Sequence, residues 1–90
     1  MSYLIPFSQK LRQWRLNAAL SQLELGQLVS MDQAVISRVE SGKRWLNVQQ
    51  YGAIFSALGL TEAQRLEAWA LLDQATALES IAASKQKAAA

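Results

Sequence analysis

The chain has 90 residues, 51% hydrophobic and 18% charged, with one Pro and four Gly, which fits one small globular domain and leaves little room for a second. It contains no Cys and no His, which argues against disulfide frameworks, zinc sites, thiol nucleophiles and histidine bases, and no enzyme, metal site or cofactor is expected. The net charge of +2 conceals an asymmetry. Residues 1–44 set Lys10, Arg12, Arg15, Arg38, Lys43 and Arg44 against Glu24, Asp32 and Glu40, whereas residues 61–80 set Arg65 against Glu62, Glu67, Asp73 and Glu79. A basic front and an acidic back suit a polyanion bound on one side, or else two ordinary solvated faces.

The opening MSYLIPF has no basic n-region, and no stretch reaches the roughly 18 consecutive apolar residues of a membrane span, so a cytoplasmic protein without membrane contact is expected. After Pro6, Phe7, Leu11, Trp14 and Ala18 recur at helical spacing and predict helix one. Ser21-Gln22-Leu23-Glu24 reads as a capping box that opens helix two, running to about Val29 with Leu25, Leu28 and Val29 inward. Ser30-Met31-Asp32 is a turn, and Asp32 is placed to cap helix three.

From Gln33 two faces separate. Val35, Ile36 and Val39 form an apolar side, and Gln33, Ala34, Ser37, Arg38 and Ser41 a short, polar and cationic one. Gly42 stops this helix, with Lys43 and Arg44 just beyond it. Arg44 reads as a phosphate ligand or else a solvated cation, and outward Arg12 as solvated surface. Asn47 caps helix four over 48–58, with Tyr51, Ile54, Phe55 and Leu58 inward, ended by Gly59. Thr61-Glu62-Ala63-Gln64 is a second capping box, opening helix five toward Ala82 with Leu66, Trp69, Ala70 and Leu72 inward.

Helix five also carries Ala68, Leu71, Ala75, Leu78 and Ala82 at alternating steps of four and three, the spacing of a paired helix. Leu71, Ala75 and Leu78 are therefore either contacts to a second copy or the face by which the helix packs on its own domain. Trp45 and Leu46, an apolar pair in a loop, stand open to a dimer contact, simple packing or a DNA-backbone contact. Residues 1–83 then form one domain, and 84–90, without apolar periodicity, a flexible tail.

The order and spacing of five helices resemble the helix-turn-helix domain of the Cro and phage-repressor (XRE-like) family. Arg15, Leu20-Ser21-Gln22, Ile36-Ser37-Arg38 and Glu40-Ser41-Gly42-Lys43 carry the resemblance. It implies an all-α, lambda-repressor-like fold with the motif at 21–44, a recognition helix at about 33–41, and operator DNA bound as a dimer. By that resemblance Gln33, Ala34, Ser37 and Arg38 stand at base-reading positions, and Gln22, Ser41 and Lys43 at phosphate-contacting ones. Arg15 and Glu40 match a buried structural salt bridge. The chemistry suits the roles, since Arg offers a fork to guanine, Gln pairs with adenine and Ala accepts a thymine methyl.

Three departures from the pattern stand out. Ala19 and Ser30 occupy usual Gly positions, Asp32 replaces a Ser or Thr cap, so no phosphate contact is expected there, and Gly26 replaces Ala in helix two. The function expected is a sequence-specific transcriptional regulator, most simply a homodimeric repressor on a palindromic double-stranded operator. Alternatives are an antitoxin-type regulator that also binds a toxin or another regulator, and a protein-interaction adaptor that retains the fold.

Overall fold

The computed structural model describes the backbone of residues 2–89 and the side chains of residues 2–85. It has five helices and, among the described residues, no strand: α1 Ile5–Asn17, α2 Gln22–Val29, α3 Gln33–Glu40, α4 Val48–Ala57 and α5 Glu62–Ala89. No helix among these residues is long and apolar enough to cross a membrane.

Local chemistry sets most of the helix starts. Pro6 lies in the first turn of α1, where its missing N–H costs nothing. Ser21 and Glu24 form the expected reciprocal box at α2, at 3.0 and 2.9 Å. The Ser21 amide donating to the Glu24 carboxyl holds it below its ordinary value, so this limb of the cap is present above the usual carboxylate range and is lost as pH falls through the folded value. Thr61 and Gln64 form the same box at α5, and Asn47 pairs with Gln50 in a third at α4.

α2 packs on α3 and α4, and α1 packs on α3 and α5. The core collects Phe7, Leu11 and Trp14 of α1, Leu25 of α2, Ile36 and Val39 of α3, Tyr51, Ile54 and Phe55 of α4, and Ala68, Leu72 and Ala75 of α5. Phe7 meets Tyr51 edge-on at 5.3 Å, and Phe55 meets Trp69 at 5.2 Å, so aromatic contacts tie three helices at the centre. Lys10 pairs with Glu67 at 3.6 Å and lies over Trp14. That cation of the basic half is therefore turned toward the acidic helix.

Several inward assignments are corrected. Leu28 and Leu66 are 61% and 65% exposed, and Ala18 and Ala70 are exposed as well. The α-helical period names a stripe, but the width of that stripe is set by the neighbours, and one small core covers only part of it. Ala75 is 2% exposed inside its own domain and cannot face a second copy. The segment from 84 onward, expected as a tail, continues α5 to Ala89, as its Ala, Lys and Gln favour; Ala90 lies outside the described residues.

Ala19 and Ser30 adopt left-handed backbones at φ 59° and 58°. Each costs a Cβ-bearing residue about 1–2 kcal/mol. Ser30→Gly removes that cost but frees the unfolded chain by about 0.4–1 kcal/mol. The expected result is a net gain of up to about 1 kcal/mol, a melting temperature higher by a few degrees. A lower melting temperature in calorimetry would contradict the strain.

Candidate nucleic-acid interface

α3 presents one continuous open face. Gln33, Ala34, Ser37 and Arg38, related by steps of three and four, are all exposed, while Ile36 and Val39 are fully buried and Val35 half-buried against the core. Just past the helix, Gly42 turns at φ +76° against the Ile5 side chain, and the Lys43 amide donates to the Arg38 carbonyl at 2.9 Å. Ser41 Oγ donates to the same carbonyl at 3.0 Å. These bonds leave the side chains of Lys43 and Arg44 exposed beside Arg38. The result is a polar, cationic strip along one helix and the loop after it.

Buried polar groups fix the far end of this helix. Arg15 donates from Nε and Nη2 to the two Glu40 carboxylate oxygens, at 2.6 and 3.0 Å, and from Nη1 to the Leu20 carbonyl at 2.8 Å. Both side chains of the pair are over nine-tenths buried. Glu40's hydrogen bonds raise the Arg15 pKa, and burial opposes them. One residue before Glu40, the Val39 carbonyl accepts a hydrogen bond from Ser8 Oγ at 2.7 Å. Ser8, Leu11 and Arg15 share one stripe of α1, so α1 clamps the last two residues of α3.

Ser8 belongs to no motif in the sequence, and only its spacing from Leu11 and Arg15 places it on the buried face. Gln22 is half-buried, and its amide donates to Glu40 Oε1 at 3.1 Å. The residue assigned to a phosphate is thus also the third member of the Arg15–Glu40 cluster. Its amide nitrogen keeps a second hydrogen, and its backbone N–H lies in the first turn of α2, where helix-end donors lack intrahelical partners.

The dimer candidates fall in different settings. Trp45 is 38% exposed, whereas Leu46 is half-buried against the core and donates its amide to Tyr51 Oη at 3.1 Å. Leu71 packs on the core, and Ala75 lies within it. Leu78 is 40% exposed and lines an apolar groove with Ser2, Tyr3, Ile5 and Pro6. Asp32 stands at the α3 N-cap position, but its side chain makes no capping hydrogen bond, contrary to the expected cap.

Two short helices around the turn at Ser30, with the second exposed on one face and locked on the other, define a helix-turn-helix. Residues 6–68, more than half of the chain, match the helix-turn-helix domain family, and the chain belongs to it, as its Cro- and phage-repressor-like pattern leads one to expect. Such a motif is a DNA-binding regulator's module, whose second helix enters the major groove.

In three dimensions the chain is similar to the crystal structure of the clp gene regulator ClgR from Corynebacterium glutamicum. The TM-score is 0.65 at 17% identity, covering 99% of this chain and 88% of that one. At that identity the likeness speaks for the five-helix fold. No curated protein sequence matches the chain.

Proposed function

We propose that the chain is a sequence-specific transcriptional regulator, a repressor that binds a roughly palindromic operator as a homodimer. The observation that carries this reading is the exposed row Gln33, Ala34, Ser37 and Arg38, continued by Lys43 and Arg44, on a helix whose opposite side packs into the core through Ile36 and Val39. In this reading the row meets base edges, while Gln22, Ser41, Lys43 and Arg44 meet phosphates. Exposed Trp45 and the Leu78 groove are the surfaces open to a second copy. Two recognition helices then meet half-sites about 10 bp apart on one face of the duplex.

An adaptor without DNA readout calls for an acidic or apolar outward α3 face, and this one is polar with an exposed cation. The distal half of α5, with Leu78 and Ile81 exposed, also suits a protein partner, as in an antitoxin that binds a toxin.

Two substitutions separate reading from anchoring. Arg38→Ala is expected to cost about 1–3 kcal/mol on the operator and relax preference at one base pair, whereas Lys43→Ala weakens all sequences and shallows the salt dependence by about one charge. Titrations of operator and scrambled duplexes across a salt series check both. An Arg38→Ala variant that weakens every duplex equally removes Arg38 from the base-reading set.

A further inference from the structure

The cap of α3 is unlike the others. At α2, α4 and α5 the cap side chain bonds the third helical residue, and a Glu or Gln there returns the bond. At α3 the third residue is Val35, which can return nothing, and Asp32 itself accepts no hydrogen bond from the helix. Its side chain is exposed, and no Lys or Arg among the described residues lies within ion-pair distance of it. An acceptor-only carboxylate with its lone pairs unused thus stands at the N-terminal end of the recognition helix, next to Gln33.

That is the end of the helix that contacts base edges. A carboxylate there is repelled by phosphates and by the acceptor pairs of guanine and the O4 of thymine. Adenine offers N6–H but sets the N7 acceptor beside it. Cytosine N4 offers a donor whose own ring carries no major-groove acceptor, the nearest being O6 of the paired guanine. The geometry points to Asp32 as a specificity-determining residue that accepts a hydrogen bond from cytosine N4 in the major groove. The proposal rests on the DNA-binding reading above. Arg38 lies six positions after Asp32, about 9 Å along the helix axis, so the cytosine lies on a different base pair from the one Arg38 reads.

Selection of duplexes from a random pool by the full chain, by Asp32→Asn and by Asp32→Ala, at one salt concentration, tests it. The parent is expected to fix a cytosine in each half-site. Both variants lose that preference by about fivefold or more, and Asp32→Asn shifts it toward adenine, which Asn pairs bidentately. The carboxylate makes no hydrogen bond to the helix, so Asp32→Asn, of the same shape and as good an N-cap, stays within a few degrees of the parent's melting temperature and serves as the folded control for Asp32→Ala. A parent consensus retained by Asp32→Asn overturns the assignment and leaves the DNA-binding reading standing. So does an Asp32→Asn variant that binds all sequences more tightly with an unchanged consensus, since the carboxylate is then only repulsive. A parent that selects no sequence overturns both.

Discussion

Arg15→Ala is expected to lower stability by about 3–5 kcal/mol and to abolish DNA binding by unfolding rather than by loss of a contact. The truncation leaves the Glu40 carboxylate, 3% exposed, with only the Gln22 amide as partner, and strands the Leu20 carbonyl that Arg15 Nη1 caps. A domain of this size has about 5–13 kcal/mol in all, so the loss takes from about a quarter to the whole of it. At about 4–8 °C per kcal/mol, the melting temperature drops by well over 10 °C.

The effect is flat in pH over the ordinary range. The hydrogen bonds to Glu40 raise the Arg15 pKa above its ordinary, already very basic value, so its contribution is fully present below the unfolded value and is lost only above it. A second variant separates an uncompensated charge from a generally needed side chain. Replacing the pair together, Arg15→Met with Glu40→Leu, removes both charges and is expected to recover much of the loss, because buried pairs are often matched by apolar residues of similar volume. Urea unfolding of the single and double variants measures the difference. A single variant that melts with the parent would end the structural role of the pair.

What the sequence made legible was local or periodic. The boxes at Ser21 and Thr61 are written within four residues, and the two faces of α3 follow from the helical period alone. The bonds that lock α3 span 25 residues from Arg15 to Glu40, 31 from Ser8 to Val39 and 18 from Gln22 to Glu40. The first was reachable only through a family resemblance, and the other two are invisible until the chain is folded.

Leu28 and Leu66 were misplaced because an apolar residue beside the buried stripe looks the same in sequence as one within it. Asp32 has the right type for a cap, but capping also depends on a rotamer, and no Glu or Gln three residues on reinforces it. Ala19 and Ser30 stand where the family pattern has Gly, but residue type alone does not fix φ, and both take the strained left-handed turn.

That strained turn makes Gly26 the position at which a single methyl group has the largest expected effect on recognition. A Cβ on Gly26 would press into the Met31 carbonyl oxygen, a backbone atom that cannot rotate aside. The Gly26 carbonyl in turn accepts the Met31 amide at 2.9 Å, directly after left-handed Ser30. Gly26 therefore sets how closely the turn folds back onto α2, and Gln33 follows Met31 by two residues. Gly26→Ala is expected to gain up to about 1 kcal/mol of helix propensity and to lose more, about 1–3 kcal/mol, to overpacking.

The larger consequence is geometric. To relieve the clash the turn moves outward, and the N-terminal end of α3 moves with it, while Ser8 and Arg15 still hold the C-terminal end. Gln33 and Ala34 shift relative to Arg38 and Lys43, so base readout suffers more than phosphate anchoring. The variant is expected to retain much of its affinity for scrambled duplex, with its salt slope intact, while the ratio of operator to scrambled affinity falls. The measurement is made well below its melting temperature. Equal losses on both duplexes would mean that α3 moves as a rigid whole, and an unchanged melting temperature that the turn has room for the methyl group.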